Sequence, residues 1–388
     1  MRLSSTSRFN LFVFILLGLL TTYAACGGRD LLDDAGSLWD RLFGPRTPRT
    51  LYRKELAKEG VVSERELELW DAAYAVAKTT PLSVSLPHRE VLNLNAGYVH
   101  GAQSFRLHLP PGRLLRLRAP YEGPPVFGEL YRRSGEASGD RPVAYWTGEN
   151  TELTYETSRP DGEDLLFVFQ APPGTPVRCE LRVTSEPAIG FPVVGKDEKA
   201  IQSFWGAPRD GGRRKHEGND IFAPKGTDLL AVTDGEITRL GNGGLGGKTV
   251  WLYDRKRNLR YYYAHLDQQK VVRTQEVRRG DVVGTVGNTG NARTTPPHLH
   301  FGIYKGGAID PYPFLQRADR LPAASPLPLD APGKVPASGN HYLRLTPERD
   351  GTVVRQLANG EAVTLLGATG RFYRIQTERG EVGYANFD

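Results

Sequence analysis

Thr294–Tyr304 reads TTPPHLHFGIY and sets two histidines one residue apart directly behind a double proline. The segment is rich in strand-forming residues. Successive side chains on a strand point to opposite faces, so residues two apart share one. His298 and His300 are therefore expected to face the same way, with Leu299 on the other side. Two imidazoles on one face suit a metal ligand beside a proton-transfer group, because imidazole is a common zinc ligand and titrates near neutrality.

The surrounding sequence has the same character. Strand-like pieces alternate closely with glycine turns in NDIFAP, DLLAVTDGEITRL, KTVWLYD, LRYYYAHLD and VVGTVGN. Four of the eight histidines fall in this region. They occur in RKHEGNDIFAP, which holds His216 and Asp220, in YYYAHLD, which holds His265, and in PHLHFGI, which holds His298 and His300. His216 and Asp220 are four residues apart, but Gly218 and Asn219 lie between them and a strand-like run follows. That predicts a loop entering a strand, with a turn bringing both side chains together.

Three motifs in this order, over residues 200 to 316 with turns such as GEITRLGNGG and RRGDVVGTVGNTG, closely resemble the lysostaphin/LytM-type zinc metallopeptidases of the M23 family. The resemblance implies a zinc ion held by His216, Asp220 and His300, with His265 and His298 as the catalytic pair. It also makes His300 the ligand and His298 its neighbour, which the HLH tripeptide by itself leaves open. The donor types are consistent with this. Two imidazoles and a carboxylate without thiolate suit a catalytic zinc, where three protein ligands leave a fourth position open. Zinc there would activate a water as nucleophile and polarise the scissile carbonyl. The two remaining imidazoles would share the proton transfer and the stabilisation of the oxyanion.

Nearby residues receive plainer readings. Glu217 lacks the second histidine of an HExxH site and is expected in solvent. Alternation across Tyr261–Tyr263 buries either Tyr262 or its two neighbours. Asn242–Gly247 is glycine-rich but has no Lys-Ser/Thr ending and no following helix, so it reads as a hairpin loop beside the cleft rather than a phosphate cradle.

The rest of the chain divides around this region. Residues 1–26 have the layout of an export signal. Arg2 and Arg8 precede FNLFVFILLGLL, and small residues end in Ala24, Ala25 and Cys26. The ending resembles a bacterial lipobox, which implies lipid on Cys26. Tyr23 departs from the usual leucine; ordinary secretory cleavage is the alternative, and a plain membrane anchor comes third. Residues 27–86 are expected to be a small helical subdomain or stalk. SLWDRLF is a short amphipathic piece, and SERELELWDAAYAVAK carries a capping box at Ser63 and Glu66 with Leu67, Trp70, Tyr74 and Ala77 on one face.

Residues 87–190 read as a β-sandwich of alternating strands separated by LPPG, RPDG and APPG turns. His108 falls on a polar phase there, and Cys179 on the apolar phase of VRCELRV, as a core residue rather than a nucleophile. The peptidase region is placed at 191–316. Residues 317–337 form a Pro-rich linker without periodicity. Residues 338–388 resemble the bacterial SH3 domain through LRLTP, GEAVTLLG, RFYRIQ and GEVGYA, with Phe372–Tyr373 and Gly383–Tyr384 where that family often has tryptophan.

The fold class expected is thus mainly β, with an antiparallel-sheet LytM-type peptidase domain between a β-sandwich and an SH3-like barrel, after a small helical segment. Composition agrees, with 44 glycines and 28 prolines among 388 residues. The formal net charge of +6 is compatible with a polyanionic partner such as the cell wall. No arginine-rich run is interleaved with aromatics, so nucleic acid is not an expected partner. With two cysteines, one of them at the lipobox, there is no disulfide framework and the domains must rely on hydrophobic cores. The expected activity is that of an exported zinc metalloendopeptidase hydrolysing amide bonds in peptidoglycan cross-links or stem peptides. The expected partners are peptidoglycan and, through Cys26, a membrane, with the protein on the periplasmic face as a lipoprotein or else secreted. The alternative is a non-hydrolytic, peptidoglycan-binding activator of a wall amidase, which loss of zinc ligands would mark. None is lost here.

Overall fold

The computed structural model describes residues 47–387 except 95–100, 121–125, 134–139, 147–151, 158, 160, 319 and 331–332. The export segment, Cys26 and the SLWDRLF piece lie outside the described residues. Among the described residues no helix is long and apolar enough to cross a membrane. Helix α1, Pro48–Glu59, starts at a capping box on Thr47 and stops at Gly60, whose φ of 67° is the left-handed conformation that glycine adopts without steric penalty.

Helix α2, Glu64–Thr79, begins at the predicted capping box of Ser63 and Glu66. It buries Leu67, Trp70, Ala73 and Ala77. Its Trp70 indole donates to the Ala171 carbonyl at 2.8 Å, and Gln170 donates back to the Trp70 carbonyl at 2.8 Å. This helix is therefore docked on the strands that follow and is not a free stalk.

Those strands are β1 (Leu82–Ser83), β2 (His88–Leu94), β3 (Ala102–Leu109), β4 (Arg113–Arg118), β5 (Phe127–Arg132), β6 (Arg141–Trp146), β7 (Glu152–Glu156), β8 (Glu163–Gln170) and β9 (Val177–Pro187). One sheet runs β1-β3-β8-β5-β6, and β2, β9, β4 and β7 are neighbours in a second. Their alternating apolar residues meet in one core that includes Leu92, Phe105, Leu117, Trp146, Phe167 and Leu181. Cys179 belongs to this core, and burial pushes its thiol up to about 12. His108 is exposed and paired with Asp164 at 2.9 Å.

The peptidase region follows. It comprises β10 (Ile201–Ser203), β11 (Pro208–Arg209), β12 (Arg214–Lys215), β13 (Asn219–Phe222), β14 (Asp228–Leu230), β15 (Gly235–Asn242), β16 (Lys248–Asp254), β17 (Leu259–Leu266), β18 (Gln268–Gln269), β19 (Glu276–Val277), β20 (Val282–Thr285), β21 (His298–Tyr304), β22 (Ala308–Ile309) and the short α3 (Tyr312–Leu315). The main antiparallel sheet has the order β10-β13-β21-β17-β16-β15-β19. Strands β14, β20 and β18 form a small second sheet. Leu299, Phe301, Ile303, Tyr261, Tyr263 and Ile221 turn to the core. The opposite face of the same strands is left for the cleft.

The last strands are β23 (His341–Arg344), β24 (Val353–Leu357), β25 (Val363–Thr369), β26 (Phe372–Thr377) and β27 (Val382–Ala385). They do not stand apart. Strand β25 pairs with β2, so one nine-stranded sheet runs β24-β23-β27-β26-β25-β2-β9-β4-β7 from the terminal domain into the sandwich. The described residues of 317–337, expected as a linker, carry no helix or named strand but are not free of contacts. Leu329 and Val335 are buried in the terminal core, and the Val335 amide donates to the Glu361 carbonyl at 2.9 Å. The molecule is mainly β.

Candidate metal and catalytic site

Three strands position the site. Strand β21 presents His298 and His300 on one face, as alternation requires, while Leu299 is fully buried on the other. Strand β13 lies antiparallel beside it in a register that sets Asp220 opposite His300 and Phe222 opposite His298. The Phe222 ring stacks on His298 with centroids 5.0 Å apart. His216 leaves the β11–β12 hairpin just before β13. Its amide donates to the Ala207 carbonyl at 2.8 Å, and its own carbonyl accepts from Gly206 at 2.8 Å. Between the two, the chain passes so near β21 that a Cβ on Gly218 would come within 2.6 Å of the Phe301 carbonyl oxygen and 2.7 Å of His300 Nε2. Only glycine fits there.

His265 arrives differently. Along β17, Tyr261 and Tyr263 are buried and Tyr262 faces the cleft, so strict alternation would send His265 into the core. Instead His265 has a φ of 64°, and the pairing of β17 with β16 slips between Lys248 and Val250. Such a bulge inserts an extra residue and re-aims a side chain. His265 lands on the cleft side, with its ring centroid 5.1 Å from that of His298 and 5.9 Å from that of His300.

The three expected ligand residues converge. His216 Nε2 lies 3.0 Å from Asp220 Oδ1 and 2.9 Å from His300 Nδ1, and His300 Nδ1 lies 3.0 Å from the same Asp220 oxygen. The other ring nitrogen of His216 is spoken for, since Nδ1 donates to the Phe204 carbonyl at 2.9 Å. That leaves Nε2 of His216 as a lone pair pointing at a second imidazole nitrogen and a carboxylate oxygen. A divalent cation between them would satisfy all three. The spacings are slightly tighter than the roughly 3.3 Å edge of a tetrahedron built on zinc–nitrogen bonds of about 2.0–2.1 Å. The donor set therefore fits a divalent cation such as zinc.

Electrostatics follow from burial. Burial alone would raise the Asp220 carboxyl, but its contacts with the His216 and His300 rings hold it well below the usual carboxylate range. Burial lowers His300. His265 is pushed down to about 4, first by burial and then by His298 and His300, so its ring is neutral near pH 7 in the metal-free protein. His265 Nδ1 donates to the Thr289 carbonyl and His298 Nδ1 to the Pro296 carbonyl, each at 2.9 Å. In both rings Nε2 is left as the proton acceptor, and that of His298 lies 4.0 Å from Asp220 Oδ1.

These residues line a cleft of about 850 Å³. Its lining also includes Arg209 and Arg213–Glu217, Leu245 and Gly246, Asn291, Ala292 and Thr295, and the rings of Tyr262 and Tyr304. The 242–247 loop is thus the hairpin beside the cleft that the sequence predicted, and Glu217 is exposed at the rim. One contact had no sequence signal. Arg209, within an Arg/Gly-rich turn, donates from Nη2 to Asp220 Oδ2 at 2.9 Å and to Ser203 Oγ at 2.7 Å.

The profile of peptidase family M23 matches residues 214–311, the span that contains all five residues of the cluster, and that of the bacterial SH3 domain matches residues 339–386. Residues 214–311 are an M23 peptidase domain. Among curated relatives of the M23 domain, the L-Ala–D-Glu endopeptidase of Bacillus subtilis (strain 168) is 37% identical over 143 residues, 34% of this chain and 44% of that protein. The murein hydrolase activator NlpD of Escherichia coli (strain K12) is 34% identical over 118 residues, 30% of this chain and 29% of that protein. The chain thus spans less than half the length of these relatives. A solved structure of LytU is 38% identical, with 30% of this chain and 83% of that chain covered and a TM-score of 0.28.

Proposed function

We propose that this chain is a zinc-dependent endopeptidase that hydrolyses amide bonds in the stem or bridge peptides of peptidoglycan. The reading divides the chain into an export segment at 1–26, a helical segment at 27–86, an accessory sandwich at 87–190, the peptidase at 191–316, a connecting stretch at 317–337 and the SH3-like domain at 338–388. The observation that carries it is the convergence of His216, Asp220 and His300 on one point, with His265 and His298 in ring contact beside them. In this reading those three residues hold the ion. When bound, zinc supplies a Lewis acid that polarises a carbonyl and makes a water nucleophilic near neutral pH. His298 and His265, each with Nδ1 committed to a carbonyl, use Nε2 to take a proton from the attacking water, pass one to the leaving amine and hydrogen-bond the oxyanion. The sandwich and terminal domain bind the wall, and export with lipidation at Cys26 puts the protein at the cell envelope.

Relatives of both kinds, endopeptidases and hydrolase activators, match the M23 domain. The test therefore combines digestion of purified wall fragments, analysed by mass, with elemental analysis of zinc in single variants. Alanine at His216, Asp220 or His300 should lose both zinc and activity. Alanine at His298 or His265 should keep zinc while turnover falls by about two powers of ten or more. No released peptide from the unsubstituted protein, with zinc bound, would reassign it as an activator. Wild-type digestion by both the His298 and the His265 variants would overturn the mechanism.

A further inference from the structure

Arg209 reaches the cluster from outside it. It sits at the end of β11, in the hairpin that delivers His216, and the Nη2 group that meets Asp220 also meets Ser203. Ser203 is itself the register partner of Asp220 across β10 and β13. The guanidinium is thus held from two directions. The Asp220 carboxylate it meets is only 11% exposed, which sets the pair apart from surface ion pairs worth little.

The two oxygens of Asp220 are used differently. Oδ1 faces His216, His300 and, farther off, His298, at 3.0, 3.0 and 4.0 Å. Oδ2 faces Arg209 at 2.9 Å. A carboxylate can meet a cation through one oxygen or two. We propose that Arg209 is a positioning residue that occupies Oδ2, so that Asp220 serves a cation through Oδ1 alone.

This rests on the reading that His216, Asp220 and His300 hold a metal. A one-oxygen carboxylate with two imidazoles makes three donors and keeps the fourth position of a four-coordinate site open. A two-oxygen carboxylate would fill it. The guanidinium also withdraws charge from the carboxylate, which leaves a bound cation a stronger electrophile.

Affinity does not discriminate here, because removing Arg209 both loosens the carboxylate and relieves repulsion of the ion. Coordination does. In the full chain loaded with cobalt(II), the unsubstituted protein should show the intense visible band of a four-coordinate ion. Arg209→Gln should lose that intensity as Oδ2 joins the site, whereas Arg209→Lys, which keeps a cation able to bind Oδ2, should retain it. X-ray absorption of the unsubstituted zinc-loaded protein needs no variant and should show a single short carboxylate oxygen. Two equidistant carboxylate oxygens in the unsubstituted protein, or an unchanged cobalt band in Arg209→Gln, would overturn the assignment while leaving the metal site intact. Failure of the unsubstituted chain to bind either metal would instead remove the metal reading itself.

Discussion

Replacing Arg374 by Met tests whether the terminal domain and the sandwich are one structure. Arg374 lies on β26 and Glu90 on β2, and they are 2% and 1% exposed. Arg374 Nη1 is 3.9 Å from Glu90 Oε1, and Nη2 donates to the Ser104 carbonyl at 2.9 Å. The guanidinium also lies 4.5 Å from the centre of the Phe105 ring. Glu90 Oε2 accepts from Tyr384 at 3.0 Å and faces His88 Nε2 at 2.8 Å. Methionine keeps most of the packing and removes the charge. At this separation and an effective dielectric of about 20, the lost attraction is roughly 4 kcal/mol. Stripping one partner from a buried pair measures about 3–5 kcal/mol. The expected loss is therefore about 3–4 kcal/mol at pH 7. Glu90→Gln in the same chain should recover part of the loss at pH 7, as a double-mutant cycle would show. The assay is urea unfolding followed by tryptophan emission. The terminal domain contains none of the five tryptophans, so in a chain with Trp39, Trp205 and Trp251 replaced by Phe the emission of Trp70 and Trp146 reports on the sandwich and its docked helix. A shift in their midpoint on changing a terminal-domain arginine is the signature of the shared sheet. A loss under about 1 kcal/mol, or a midpoint unmoved while the terminal domain unfolds separately, would refute the reasoning.

Gly218→Ala should abolish zinc binding measured by elemental analysis and destabilise the chain by about 1–3 kcal/mol, because its Cβ would press on the Phe301 carbonyl and His300. His265 supplies a pH dependence in the metal-free protein. Its folded value of about 4 lies below the unfolded value of about 6.5, so the stability is fully present above pH 6.5 and lost as pH falls toward 4. His265→Gln should flatten that part of the urea-midpoint profile, and an unchanged slope would assign it to other groups. Cys26→Ser should abolish incorporation of labelled lipid and release the exported protein from membranes, and an unlabelled wild type would favour ordinary secretory cleavage.

Patterns that are local in the chain were legible without the structure. The two-residue period put His298 and His300 on one face and Leu299 in the core. The Ser63 and Glu66 spacing announced the start of α2, and alternation placed Cys179 among apolar neighbours. Each depends only on backbone geometry within one segment. The tertiary structure decided what depends on a partner strand. Asp220 stands opposite His300 because of the register between β13 and β21, which neither strand specifies alone. His265 faces the cleft because a bulge against β16 overrides the alternation that would bury it. Arg209 meets Asp220 because a hairpin folds back, and nothing in its own sequence neighbourhood distinguishes it from Arg213 or Arg214. The terminal domain and the sandwich share a sheet because β25 finds the edge of β2. An unpaired strand edge offers the same row of amides and carbonyls to any partner, so only the assembled fold shows which partner takes it.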